Sequence, residues 1–371
     1  MHQPISAKPR IVHITSVHEA LDVRIFYKEC QSLARAGYEV VLLSNDPQDF
    51  TQAGVFVRGL GLTRNRWQRI TTKMWRMGRE AFRLNAEIYH IHDPELLPLA
   101  LVLRAAGKQV VYDIHEDLPR TVLYKHYIPR RLRRPLMRFI EVLENMAARA
   151  MSGLVTATPV IGRRFERINK NTVVVSNFPM MHELSPAAGR QWRERSCAAA
   201  YIGGIAVERG ARELLAAIDL INLPDARLKL AGWFSDPALQ PELEKDAGWQ
   251  RVSWHGLLDR LQITELLSSV RLGLVVLHPE DNFVVSQPVK LFEYMDAGIP
   301  VVASDFPLWR NVIEEADCGL LVDPLDPEAI ADAMTYLLTH DDEAEAMGRR
   351  GREAVEKRFN WNAEEHKLLA F

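Results

Sequence analysis

Cysteine is scarce and follows no pairing pattern. Cys30, Cys197 and Cys318 stand far apart, without Cys-x-x-Cys spacing, so neither a disulfide framework nor a cysteine zinc site is expected, and a reducing cytoplasm is the default compartment. No apolar run approaches the roughly 20 residues that a membrane-spanning helix needs, and residues 1–10 lack the apolar core of a signal peptide. The expectation is a chain that is soluble or peripheral to a membrane. Net charge is also small, −2 over 371 residues, so no global field points to nucleic acid. The first strand-to-helix turn, HITSVHEALDVRIFYKE, holds no glycine, which disfavours a nicotinamide or flavin dinucleotide where GxGxxG would bring backbone against a pyrophosphate.

What is present is an ordinary globular composition, 47% hydrophobic and 25% charged, in a chain long enough for two domains. Apolar, β-branched runs predict strands at Ile11–Thr15, Val40–Leu43, Val55–Leu60, Ile88–His92, Val110–His115, Leu154–Thr158 and Val173–Ser176, most with helical segments between them. That alternation is the mark of a doubly wound parallel α/β sheet. Residues 178–197 break the periodicity with prolines, a glycine and charges, and read as a linker between a first domain, 1–178, and a second, 198–350, with 351–371 closing the chain. The second domain starts a new sheet, with strands expected at Ala198–Ile202, Leu228–Trp233, Val252–His255, Leu272–Leu277 and Val301–Ser304.

The stretch 272–305, LGLVVLHPEDNFVVSQPVKLFEYMDAGIPVVASD, has the order strand, loop, helix, strand. A right-handed crossover then puts the loop Pro279–Pro288 at the carboxyl edge of the sheet, where such folds bind ligands. Pro288 suits a first helical turn, and the amides near Val289 and Lys290 carry partial positive charge. Lys290 and Glu293 fall on one helix face. Lysine and amides on phosphates, with Gln287 beside them and Glu293 on ribose hydroxyls, would fit a nucleoside diphosphate; the spacing alone describes a surface ion pair equally well. Upstream, Gly203 and Gly204 end a strand before Arg209, a pattern that serves either a close-approaching ligand or a plain turn.

Three clusters of the first domain share one sheet edge: Asp22 with Arg24, His92-Asp93-Pro94-Glu95, and His115-Glu116-Asp117. Asp22 and Arg24 are either a helix cap with a solvated arginine or, with His92, part of an acceptor site. His90, His92 and His115 invite a metal, but HxHD lacks a third well-spaced ligand, so no metal site is assigned. Two segments carry six basic residues each and no acid, Arg64–Arg79 and Lys125–Arg138. In the first, Arg66, Arg69, Lys73 and Arg76 flank a stripe of Trp67, Ile70, Met74 and Met77. Both read as anionic-membrane or polyanion surfaces, or else as half-buried helices with a solvated face.

Gln287 to Arg310 resembles the donor-binding signature of retaining glycosyltransferases of family 4, in a form associated with bacterial surface-polysaccharide transferases, and the likeness extends over nearly the whole chain. It implies the GT-B architecture: two Rossmann-like domains facing a cleft, the first for the acceptor, the second for a nucleotide-sugar, with 351–371 crossing back to the first and Trp361 as a packing anchor. It implies metal-independent transfer of a hexose-type sugar to a glycan or lipid-linked acceptor, without a cofactor, and no DxD occurs to hold a metal-diphosphate. By the same resemblance Lys290 and Arg209 stabilise the departing diphosphate, Gly203, Gly204, Gln287, Pro288, Val289 and Glu293 complete the donor site, and His115 stands near the sugar. Two departures are visible: Val285 occupies the family's first glutamate position, and Gly204 replaces an arginine. A sugar-nucleotide 2-epimerase and a non-catalytic nucleotide-sugar-binding subunit remain open as other readings.

Overall fold

A computed structural model describes residues 8–61, 72–124, 128–181, 184 and 191–371. The chain divides into two compact units, the first running to Asn177 and taking back Ala363–Phe371, the second formed by Phe178–Asn362.

In the first unit the strands are β1 (Arg10–Ile14), β2 (Glu39–Ser44), β3 (Phe50–Gln52), β4 (Val55–Gly59), β5 (Ile88–Ile91), β6 (Gln109–Ile114), β7 (Gly153–Thr156) and β8 (Thr172–Val174). Their order is β3-β4-β2-β1-β5-β6-β7-β8. All pairs are parallel except β3 with β4. The inner strands read as continuous apolar runs because cores cover both faces: Val12, Ile14, Leu43 and Tyr89 pack on one side, Ile11, Val40, Leu42 and Phe26 on the other. Order reverses at β1, which has β2 on one flank and β5 on the other, so crossovers leave in opposite directions and a crevice opens beyond their carboxyl ends.

The second unit holds β9 (Ala198–Ile202), β10 (Arg227–Ala231), β11 (Val252–Trp254), β12 (Leu272–Val275), β13 (Val301–Ser304) and β14 (Gly319–Val322). The order β11-β10-β9-β12-β13-β14 is wholly parallel and reverses between β9 and β12. Over β12 lies the helix Val289–Asp296. Tyr294 stacks against Gly273, where a Cβ would fall 2.2 Å from the ring, and its hydroxyl accepts the Ile202 amide at 3.0 Å. One side chain thus joins helix, β12 and the end of β9.

The structure corrects the expected segmentation in three places. Residues 179–197 are not a free linker: the described part belongs to the second unit, where Phe178, Leu184 and Trp192 enter the core because burying three large apolar side chains outweighs the disorder that the polar residues around them suggest. The return to the first unit starts at Ala363, not 351, since the helix Asp341–Lys357 stays in the second. Trp361, 1% exposed, is anchored in the second unit, its amide donating to Pro179 at 2.8 Å. After it, Glu364 accepts the Ser176 amide at 2.8 Å within the first unit. Strands β3 and β14 had no separate sequence signal, and several predicted strands end one or two residues early, where the chain leaves the ladder to form the site loops.

Gly273→Ala is expected to lower stability by about 1–3 kcal/mol through overpacking against Tyr294, seen as a lower urea midpoint. An unchanged midpoint would show that the Tyr294 ring is free to move.

Candidate active site

In the second unit the site forms at the β9–β12 reversal. Gly203 follows β9 with φ +109°, a conformation few side chains tolerate. A Cβ built there would meet Lys290 Nζ at 3.6 Å, so the bare backbone lies directly under the lysine. Lys290 is only 8% exposed. Its Nζ sits 3.6 Å from the Tyr201 ring centre and has no hydrogen-bond partner among the described residues, as is true of Gln287 Oε1 in the loop before it. Burial, with Arg209 nearby, pushes the lysine well below its usual range.

The alternative reading of Lys290 and Glu293 as a surface ion pair does not hold among the described residues. Arg260 takes Glu293, Nη1 to Oε1 at 2.6 Å, and that partner lay beyond the reach of motif spacing. Arg209 places its guanidinium over the Phe283 ring at 5.5 Å. Pro288 is the residue before the helix, not in its first turn, which leaves Val289 and Lys290 as the first helical amides. Val285 ends the short helix Asp281–Val284. The loop that follows is tied down by Trp309, whose indole N–H donates to Ser286 at 2.7 Å. Gly232 approaches the backbone of Gly203, where a Cβ would come within 1.9 Å of its carbonyl oxygen.

The first unit carries a cavity of about 640 Å³ at the β1–β5 reversal, lined among others by His18, His92, Asp93, Glu95, His115 and Glu116. Asp93 is buried and accepts from the Thr15 hydroxyl at 2.8 Å, from the Ser16 amide and from His18 Nδ1 at 3.1 Å. Burial alone would raise its carboxyl; the His18 bond and charge, with the Ser16 and Thr15 donors, hold it well below the usual range instead. Burial likewise disfavours charge on His18, but the Asp93 contact outweighs it and raises the imidazole. The sequence reading missed His18, which nothing but the later fold brings to Asp93.

His115 reaches the cavity and also Asp113, Nε2 to Oδ2 at 3.0 Å. Of the expected acceptor residues only His92 lines it. Asp22 caps the first helical segment by accepting the amides of Arg24 and Ile25, and Arg24 is no solvated arginine: 4% exposed, it holds Asp113 at 2.9 Å and Glu29 at 3.1 Å. An unpaired guanidinium could not be buried so deeply. Burial would raise Asp113, yet the Arg24 charge and His115 keep it well below the usual range.

The family described as glycosyl transferase 4-like domain matches residues 23–177, and that described as glycosyl transferases group 1 matches 197–340. The chain belongs to these family 4-type glycosyltransferases. Among curated proteins, the phosphatidyl-myo-inositol mannosyltransferase of Mycobacterium leprae is 42% identical over 74 residues, only a fifth (20%) of either chain. The D-rhamnosyltransferase WbpZ of Pseudomonas aeruginosa is 25% identical over 280 residues, 74% of this chain and 70% of its own. Of solved structures, sucrose-phosphate synthase from Thermosynechococcus elongatus superposes with TM-score 0.76 at 18% identity, over 98% of both chains. Anabaena HepE in complex with UDP-glucose gives 0.73 at 13%, again over 98% of both. The fold is therefore GT-B.

The His18–Asp93 pair has a pH signature. A raised His18 contributes stability that is full below the unfolded value near 6.5 and fades as pH rises through the folded value; a depressed Asp93 contributes stability above about 3.9 that is lost as pH falls. By NMR, His18 is expected to titrate above ~6.5 and to drop in Asp93→Asn. A midpoint unmoved by that substitution would dissolve the pair.

Proposed function

We propose that this chain transfers a hexose-type sugar, with retention of configuration, from a nucleoside diphosphate sugar to a hydroxyl of a glycan or lipid-linked acceptor in bacterial polysaccharide biosynthesis. The observation that carries the reading is the buried Lys290 amine above bare Gly203 at a helix start, with no hydrogen-bond partner among the described residues, as is also true of Gln287 Oε1 in the preceding loop. A buried cation without a partner is costly, and a diphosphate supplies what it lacks. The similarity to HepE, solved with UDP-glucose, and to relatives named as mannosyl- and rhamnosyltransferases supports the same donor class.

As the bond to the sugar breaks, negative charge grows on the diphosphate. Lys290, Arg209 and the amides of Val289 and Lys290 stabilise that charge, which lowers the barrier because the interaction strengthens in the transition state. In a same-face displacement the acceptor proton passes to the departing phosphate oxygen, so no carboxylate nucleophile is required. Glu293, positioned by Arg260, accepts from the ribose, and His115 acts beside the sugar. Neither a cofactor nor a metal is assigned to the transfer step.

Lys290→Ala is expected to raise the barrier by about 2–4 kcal/mol while leaving the circular dichroism spectrum intact. UDP, GDP, ADP and dTDP should be compared by thermal shift on the wild type and on Glu293→Ala. A nucleotide at 100 times its dissociation constant stabilises by about 2.7 kcal/mol, so the donor base should stand out in the wild type only. If no nucleotide stabilises the wild type, the donor site is wrong and the chain is not this transferase.

The acceptor reading extends to an anionic membrane surface. Residues 64–71 and 125–127 of the two basic segments lie outside the described residues. Of the rest, Trp75 is 66% exposed on the helix Met74–Leu84, whereas Met77 is buried and Lys73 turns in to Gly61. On the helix Arg130–Ala150, Leu132, Phe139, Val142, Leu143 and Met146 form an exposed apolar stripe beside Arg131, Arg134 and Arg138. A basic helix with an exposed apolar face suits insertion at an anionic headgroup layer. No helix among the described residues is long and apolar enough to cross a membrane. Phe139→Asp with Leu143→Asp should abolish co-sedimentation with phosphatidylglycerol vesicles, and equal binding by the double variant would remove this helix from the surface.

A further inference from the structure

Beneath the cavity of the first unit lies a cluster of buried titratable groups, of which His92 and Asp113 also line that cavity. His13, His90 and His92 point into the interior from β1, β5 and the turn after β5, their rings stacked with centroids 4.6 to 5.1 Å apart. Glu29 reaches them from the first helical segment, and Asp113 from β6. All five are buried. Oε2 of Glu29 lies 3.9 Å from His90 Nε2 and 4.0 Å from His92 Nε2. Oδ2 of Asp113 lies 3.9 Å from His90 Nε2 and 3.3 Å from His92 Nδ1. One ligand atom from each of Glu29, His90, His92 and Asp113 falls within 4.8 Å of all the others.

Among the described residues, the two oxygens of Glu29 and Nε2 of both His13 and His90 have no hydrogen-bond partner of good geometry, although all three residues are buried. Arg24 accompanies one side of the cluster, its Nε 3.1 Å from Glu29 Oε1 and its guanidinium on Asp113. That leaves Oε2 of Glu29 to the histidines. Burial and the neighbouring Asp113 push the Glu29 carboxyl well above its usual range, while the Arg24 charge, against the effect of burial, holds Asp113 below its own.

From this geometry we propose that Glu29, His90, His92 and Asp113 bind a divalent transition-metal ion, with zinc as the best match to two imidazoles and two carboxylates. Bonds of about 2.0–2.2 Å require the four groups, whose candidate ligand atoms lie within 4.8 Å of one another, to draw together, with His92 Nε2 exchanging its 2.9 Å contact with His13 Nδ1 for the ion. Arg24 and His115 then act as outer partners of the coordinating carboxylates, the arrangement that orients ligands at metal centres. The ion enters from the cavity, whose lining includes His92, Asp113 and His115. Bound there, it ties the carboxyl ends of β5 and β6 to the first helical segment and fixes His115 through Asp113. Its role is structural and positioning, and its occupancy does not depend on the donor assignment above.

The test is equilibrium dialysis of the full chain against zinc chloride, with metal counted by plasma mass spectrometry. About one ion per chain should survive dialysis into metal-free buffer. Glu29→Gln with His90→Gln should weaken binding by at least about 10-fold, whereas His340→Ala, on the far exposed end of another helix, should retain the ion. Because the double variant could misfold, cobalt loading of the wild type gives a second measurement: intense visible bands of a low-coordinate site are expected. Retention of less than about a tenth of an ion per chain, equal binding by a folded double variant, or only the faint spectrum of hydrated cobalt would each overturn the proposal.

Discussion

In a parallel sheet, two neighbouring strands whose crossovers leave in opposite directions cannot both have their carboxyl ends covered by helices. This chain meets that constraint twice, at β1–β5 and at β9–β12, and each time the gap collects its polar residues. Everything else in each unit serves to hold those two openings in shape. The cores behind the strands are apolar on both faces, and His92, Asp93, Asp113 and Lys290 gather at the edges that topology leaves open.

The two openings treat charge differently. In the second unit Lys290 has an aromatic face beneath it but no hydrogen-bond acceptor among the described residues. In the first unit, charge is largely closed upon itself. Arg24 spans Asp113 and Glu29, and Asp93 gathers donors from Thr15, Ser16 and His18. Breaking either partner of the Arg24–Asp113 pair would strand a buried charge, which costs far more than the pair itself contributes.

The strands were legible because a buried parallel strand must be apolar on both faces, and β9 and β13 match their expected limits residue for residue. The placement of Gly203, Lys290 and Glu293 was legible for a related reason: they are set by local geometry at a strand end and a helix start. What stayed hidden depends on distant chain meeting. Glu29 sits in an amphipathic stretch where a surface glutamate would look the same, and Asp113 is the last polar residue of an apolar strand; only β1, β5 and β6 lying side by side makes them neighbours. Arg260 on Glu293 is hidden for the same reason, as is His18 on Asp93. Arg24 was misjudged because its i→i+5 winding, with the Tyr27 amide reaching back to Asp22, turns Arg24, Lys28 and Glu29 inward together, whereas ordinary helical spacing would carry some of them to solvent.

Val285 changes which groups stand near the lysine at the helix start. A carboxylate at this position would stand at the end of the short helix Asp281–Val284, a few residues before Lys290, where it would compete with a phosphate for the lysine. With valine there, no acidic group of the loop 285–289 faces the ammonium, and the nearest carboxylate of the helix, Glu293, is engaged by Arg260. The cation is thereby kept free of internal partners. The valine at 285 and the capture of Glu293 by Arg260 act in the same direction: neither position offers Lys290 a carboxylate partner.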